Sequence, residues 1–252
     1  MAGTTVFGRV TWLTATVVGL RDETASARTL SLTVRDWPGH IAGQHLDVKL
    51  TAENGYSAVR SYSIASAPSS DGHMEITVER LPNGEVSPYL TQQVMVGDEL
   101  EVRGPIGRWF VWQPEQTEPI QLVAGGSGVV PLMAMLRTRD SSGSAAPFRL
   151  LYSVREPGTI FYREDLRRFS DKDSEVVTYA YTRVTPEGWP RAAGRIDAPL
   201  ISSSTWPSSR RPSAYVCGPT SFVENVTDLL IAAGYDRERI RTERFGATGG
   251  QK

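Results

Sequence analysis

Cysteine is nearly absent from this chain: Cys217 is the only one in 252 residues. An intrachain disulfide is therefore excluded, and so is an iron–sulfur cluster held by four cysteines of this chain. Histidine is scarce as well, with three residues at 40, 45 and 73, so no metal site is expected. Redox chemistry here would need an organic cofactor. No apolar run reaches the roughly 18 residues of a membrane helix. The start, Met1-Ala2-Gly3-Thr4-Thr5-Val6-Phe7, has no basic region leading into an apolar block, so no signal peptide is read and a cytoplasmic protein is expected. Charge of one sign is also lacking: the net charge is −1. That argues against nucleic acid or a membrane surface as a partner drawn by bulk charge. Lysine is almost missing, three against 24 arginines, and the arginine fork suits phosphates and carboxylates.

What is present divides in two. Residues 1–114 read as all-β. Thr29–Val34 and His45–Leu50 alternate in the manner of half-buried strands, with further candidates at Val59–Ile64, Met74–Arg80 and Leu100–Val102. Turn signals at Trp37-Pro38-Gly39, Glu53-Asn54-Gly55, Ser70-Asp71-Gly72 and Pro82-Asn83-Gly84 separate them, which suggests a small barrel or sandwich. Ser87–Val94 reads as one short helix capped by Ser87, with Pro88 in its first turn. On a strand, Arg60 and Tyr62 share a face and pair a phosphate donor with a flat ring. Gly84-Glu85-Val86-Ser87 leads into a helix start, where backbone N–H groups bind phosphate. Taken singly, each of these also suits an ordinary solvated strand, barrel packing or a plain helix cap. The proline-bearing stretch Gln113–Pro119 reads as a link.

From Ile120 the period changes. Strand-like runs (Ile120–Ala124, Phe148–Ser153, Glu175–Thr182, Ala214–Cys217, Ile240–Glu243) alternate with helix-like ones (Leu132–Arg139, Tyr162–Phe169, Phe222–Ala233). This predicts a parallel sheet with helices on both faces. Ser221 and Glu224 read as a capping box for the last helix, and Ser202–Ser213 as a loop. The central motif is Gly125-Gly126-Ser127-Gly128-Val129-Val130-Pro131, a glycine turn between a strand and a helix start that suits a phosphate. Ligands of such sheets bind at the strands' carboxyl ends. That rule selects Gly125–Gly128, Ser153-Val154-Arg155, Thr182-Arg183 and Cys217-Gly218-Pro219-Thr220. Arg155 and Arg183 suit an extra phosphate there, or equally an ion pair on a loop.

In their order and spacing, Arg60-Ser61-Tyr62-Ser63, Gly84–Ser87, Gly104-Pro105-Ile106-Gly107, Gly125–Pro131 and Cys217-Gly218-Pro219 resemble the ferredoxin–NADP reductase superfamily over nearly the whole chain, without a fused iron–sulfur domain. The resemblance implies two domains: an antiparallel β-barrel flavin domain over 1–114, then an α/β parallel-sheet nicotinamide-nucleotide domain over 115–252. It implies FAD, with FMN as the alternative, and NADPH, with NADH as the alternative. By similarity, Arg60 pairs with the FAD pyrophosphate, Tyr62 lies against the isoalloxazine ring, and Ser63 sits near its reactive N5. Val86 and Ser87 hold the pyrophosphate, and Ser61, Thr77, Val78 and Glu85 belong to the same cofactor site. Gly126, Ser127 and Gly128 face the nicotinamide nucleotide's phosphates, with Cys217, Gly218 and Pro219 by the nicotinamide. Arg155, Arg183 and Arg195 surround the 2′-phosphate, and Thr182 belongs to the cofactor-binding set. Ser63, Cys217 and Glu243 line the hydride path, and Phe245 or the glycine tail after it covers the flavin. The implied activity is an NAD(P)H-dependent flavoprotein reductase that passes electrons to a ferredoxin, a flavodoxin, another redox protein or an oxygenase. The alternatives are the electron-input subunit of a fixed complex, or a flavin- and nucleotide-binding module without turnover.

Overall fold

The first strand is the one that alternation hides. β1 (Leu13–Thr24) buries Ala15 and Val17, but its register with the next strand shifts between Val17 and Gly19. Val18, 45% exposed, is the extra residue of a bulge there, and the phase of the alternation shifts after it. The computed structural model describes residues 11–172 and 177–245. After β1 come β2 (Ala27–Val34), β3 (His45–Thr51), β4 (Ser57–Ser63), β5 (His73–Glu79), helix α1 (Ser87–Gln92) and β6 (Glu99–Ile106). The six strands form one antiparallel sheet ordered β4-β3-β6-β1-β2-β5, and an Ile64–Ile76 bridge joins its two ends. Leu30, Leu32, Leu46, Val48, Ile76 and Val102 fill its interior at 0% exposure.

The expected cap of α1 is corrected. Val86, not Ser87, is the cap residue, and the Ser87 hydroxyl accepts from the Leu81 amide at 3.0 Å. Ser87 therefore ties down the preceding turn instead of the helix start.

The second half carries β7 (Ile120–Gly125), α2 (Val129–Ser142), β8 (Phe148–Val154), α3 (Arg163–Lys172), β9 (Val177–Tyr181), α4 (Ala198–Ser204), β10 (Ser213–Pro219), α5 (Thr220–Ala232) and β11 (Ile240–Phe245). Its five strands are parallel, ordered β11-β10-β7-β8-β9. Alternate side chains sort to opposite faces: Leu122, Ala124, Leu150 and Tyr152 pack with α2 and α3, whereas Val123, Leu151, Ala214 and Val216 pack with α4 and α5. Helices therefore cover both faces, as alternating strands and helices require. The first of these clusters also takes in Ala27, Ala42, Ala65, Phe110 and Trp112, so it runs into the antiparallel half.

Three expectations in this half shift. α2 begins at Val129, which makes Pro131 its third residue; an amide there has no intrahelical acceptor, so proline costs nothing. The capping box does not form, because α5 begins at Thr220 behind Pro219 and no side chain caps it. Part of the expected loop is helical: Asp197 caps α4 by accepting from the Leu200 amide at 3.0 Å. Residues 175 and 176 of the expected third strand, and the glycine tail 246–252, lie outside the described residues.

Candidate functional site

The chain runs β7-β8-β9 toward one edge of the parallel sheet, then places β10 and β11 on the other side of β7. The carboxyl ends of β7 and β10 thus flank the point where the strand order reverses, which is where open α/β sheets bind ligands. At that point the glycine turn passes against β10: a Cβ on Gly128 would lie 2.1 Å from the Cys217 carbonyl oxygen. Only glycine allows that approach. Gly126 serves differently, with φ of +55° and open space where a Cβ would be. Ser127 lies between them in the short turn Gly126–Gly128.

The edge strand β4 supplies the other side. Arg60 and Glu85 form an ion pair at 3.0 Å, and the Tyr56 hydroxyl donates to the same carboxylate at 2.9 Å. Both side chains of that pair are half exposed. Tyr62 is half-buried, and burial pushes its phenol up to about 12, so the ring stays neutral. Ser61 points the other way: its hydroxyl donates to Asp47 at 2.7 Å, beside the Arg103–Asp47 pair. The side chains of Val78, Val86 and Ser87 are buried, which leaves Val86 and Ser87 only their backbone N–H groups for a ligand. Thr77 is buried too, with its hydroxyl engaged by Thr29 and Tyr162.

The two sheets meet at Ser63 and Glu243, where the serine hydroxyl donates to the carboxylate at 3.4 Å. Burial raises the Glu243 carboxyl to about 7, against the opposing effect of that hydrogen bond. Cys217 pairs with Glu243 across β10 and β11 and is buried. Burial, and then the Glu243 charge, push its thiol well up, so it stays protonated. Gly218 is buried beside it, Pro219 is exposed, and Phe245 is 36% exposed at the end of β11.

At the far end of the same edge, backbone bonds gather three arginines. The Arg183 amide donates to the Arg155 carbonyl at 2.9 Å, the Thr182 amide to Val154 at 2.8 Å, and the Gly194 amide to Tyr181 at 2.9 Å. Arg155, Arg183 and Arg195 are exposed, and none takes an ion-pair partner among the described residues. The loop ion pair considered for Arg155 and Arg183 does not form there.

Sequence reasoning passed over Arg137 and Tyr162, which carry a further buried polar contact between the two halves of the chain. Arginine on a helix and tyrosine before one carry no local signal of such a role. Among the described residues there is no cluster that could hold a metal ion.

The family model described as the oxidoreductase FAD-binding domain matches residues 22–111, and that of the oxidoreductase NAD-binding domain matches 122–228. The glycine betaine monooxygenase reductase subunit of Chromohalobacter salexigens is 29% identical over 82% of this chain and 56% of its own length. The ferredoxin reductase component of 3-ketosteroid-9-alpha-monooxygenase from Rhodococcus rhodochrous is 29% identical over 93% of this chain and 65% of its own. The chain thus spans 56% and 65% of the length of these two curated relatives. The FAD/NAD-binding domain of the Vibrio cholerae nitric oxide dioxygenase shares the fold, with a TM-score of 0.82 at 24% identity over 93% of this chain and 99% of that one. The donor set fits these cofactors: an exposed arginine beside a half-buried neutral tyrosine on β4, and at the switch point a glycine turn held against β10 at Gly128 with open space beside Gly126.

Proposed function

Because the chain belongs to the ferredoxin–NADP reductase superfamily, an oxidoreductase FAD-binding domain followed by an NAD-binding one, we propose that it is an NADPH-dependent flavoprotein reductase serving a separate electron acceptor. One observation carries this reading: the Tyr62–Ser63 end of β4 meets the carboxyl edge of the parallel sheet at Glu243, so a flavin strand and a nucleotide edge share one site. The flavin unit runs to about residue 114 in this reading, and the nucleotide unit takes the rest.

FAD, when bound, would supply the redox chemistry that links a two-electron hydride donor to a one-electron acceptor. Arg60 and the backbone N–H groups of Val86 and Ser87 hold its diphosphate, with Glu85 giving up its place on Arg60. Tyr62 offers a neutral flat face. The Gly126–Gly128 turn admits the nicotinamide nucleotide to the backbone N–H groups at the start of α2. Cys217 stays a neutral thiol and shapes the floor of the path. Ser63 and Glu243 hold a proton between them, since a carboxyl with a midpoint of about 7 exchanges it near neutral pH. Arg155, Arg183 and Arg195 take the 2′-phosphate, and their lack of ion-pair partners among the described residues leaves their donors available. The relatives named as reductase components of monooxygenases support an oxygenase, or a ferredoxin or flavodoxin leading to one, as the acceptor.

The test is anaerobic stopped-flow of the FAD-loaded protein with NADPH and, separately, NADH. Fast bleaching by NADPH and slow bleaching by NADH are expected. Equal rates would remove the 2′-phosphate assignment, and no bleaching by either would remove the reductase.

A further inference from the structure

Arg137 projects from α2 across to the antiparallel sheet. Its Nη1 donates to the Ala65 carbonyl at 3.0 Å and to Glu75 Oε2 at 2.8 Å, and its Nη2 donates to Asp165 Oδ2 at 2.5 Å. Ala65 is two residues past Ser63, Glu75 lies on β5, and Asp165 lies on α3. One planar group therefore holds the end of β4, the strand bridged to it and a helix of the other unit. The three side chains are 15–18% exposed, so solvent screens them little.

Tyr162 completes the junction. The Arg137 guanidinium lies 5.1 Å from its ring centroid, its hydroxyl donates to Thr77, and its amide donates to Glu23 Oε2 at 2.8 Å. Its φ of +54° is unfavourable for a bulky residue, so these contacts, and not local preference, set its place.

α2 begins directly after the glycine turn, and Arg137 sits nine residues past Gly128 on the same helix, about 13 Å along it. We propose that Arg137 is a positioning residue for hydride transfer: it locks the glycine turn at the head of α2 in register with the Tyr62–Ser63 end of β4, and Tyr162 holds its guanidinium in place. The inference rests on the reductase reading. Stability alone would not call for this group. The same interface already buries Ala27, Ala42 and Ala65 against α2, and a buried ion pair adds little over apolar packing. What the fork adds is direction, since its donors fix two strands and a helix at once. Hydride transfer needs that direction, because reacting atoms must come within about 3–3.5 Å and a 1 Å error costs as much as about 100-fold.

The experiment uses FAD-loaded wild type, Arg137→Lys, Arg137→Met and Tyr162→Phe in anaerobic stopped-flow over a range of NADPH. FAD and NADP⁺ dissociation constants are measured alongside. Spin labels at Glu99→Cys and Glu224→Cys report the distance between the two units. The limiting rate of flavin reduction is expected to fall roughly tenfold or more in both Arg137 variants and roughly threefold in Tyr162→Phe. Both dissociation constants should stay within about twofold, and the label distances should broaden. An unchanged limiting rate, or a loss explained by weaker cofactor binding, would overturn the inference and leave the reductase standing. Wild type that neither NADPH nor NADH reduces would overturn both. If the Arg137 variants do not fold, Tyr162→Phe, which removes one oxygen, decides alone.

Discussion

Ser63 and Glu243, 180 residues apart in the chain, meet at 3.4 Å and join the edge strand of one sheet to the edge strand of the other. The contact brings a carboxyl into a setting where burial raises it to about 7, from an ordinary value of 4.5. A raised carboxyl means that the folded protein binds this proton more tightly than the unfolded chain does. Its stabilising contribution is therefore fully present below pH 4.5 and is lost as pH rises to about 7. Glu243→Gln removes the titration. Between pH 4 and 7.5 the stability of wild type should fall relative to the variant by at most about 3 kcal/mol. Denaturant unfolding at several pH values checks this, and parallel curves would refute it.

The three arginines at the far end of the edge predict a selective effect. Replacing Arg155, Arg183 or Arg195 with alanine should weaken NADPH by roughly tenfold each, the worth of one charge-assisted contact. NADH, which has no 2′-phosphate, should change by less than about twofold. Steady-state KM values for both nucleotides test this, and equal losses for the two would mean that the arginines serve the shared part of the nucleotide.

Gly126 and Gly128 are two residues apart but should respond differently to alanine. A Cβ at Gly128 meets backbone oxygen at 2.1 Å, so Gly128→Ala must push α2 away from β10, at a cost of roughly 1–3 kcal/mol or more. At Gly126 the space is open and only the positive φ is strained, a cost of about 1–2 kcal/mol. Thermal unfolding of the two variants should rank Gly128→Ala as the less stable, and the reverse order would refute the close approach.

The parallel half was open to sequence reading because its strands are short apolar runs and a glycine turn follows the first of them. Helix starts were harder. Ser87 and Ser221 both suit an N-cap by type, yet the cap falls one residue before Ser87 and two before Ser221, and backbone geometry at Val86 and Pro219 decides that. β1 was hidden because its bulge at Val17–Gly19 interrupts alternation, and α4 because its serines read as loop. At the site, Arg60, Tyr62 and the glycines sit within compact motifs. Arg137 does not: its three acceptors come from β5, α3 and the residue after the β4–β5 bridge, so only the folded chain assembles its role.

Arg60 and Glu85 give the last prediction. Their 3.0 Å pair occupies the guanidinium proposed to hold the flavin diphosphate, so binding exchanges one anion for another. Both side chains are half exposed, and an exposed pair is worth only about 0.2–1 kcal/mol. Glu85→Gln should therefore tighten FAD by no more than about fivefold. Arg60→Ala removes the donor that the diphosphate needs and should weaken FAD by roughly tenfold or more. Salt separates the two effects: added salt should weaken wild-type binding, and much less so that of Arg60→Ala, because the charge it screens is gone. Titration of the flavin-free protein with FAD at low and high salt, followed by flavin fluorescence, measures all of this. Unchanged affinity in Arg60→Ala would place the diphosphate elsewhere. Weaker binding in Glu85→Gln would mean that Glu85 supports the site by orienting Arg60 and does not compete for it.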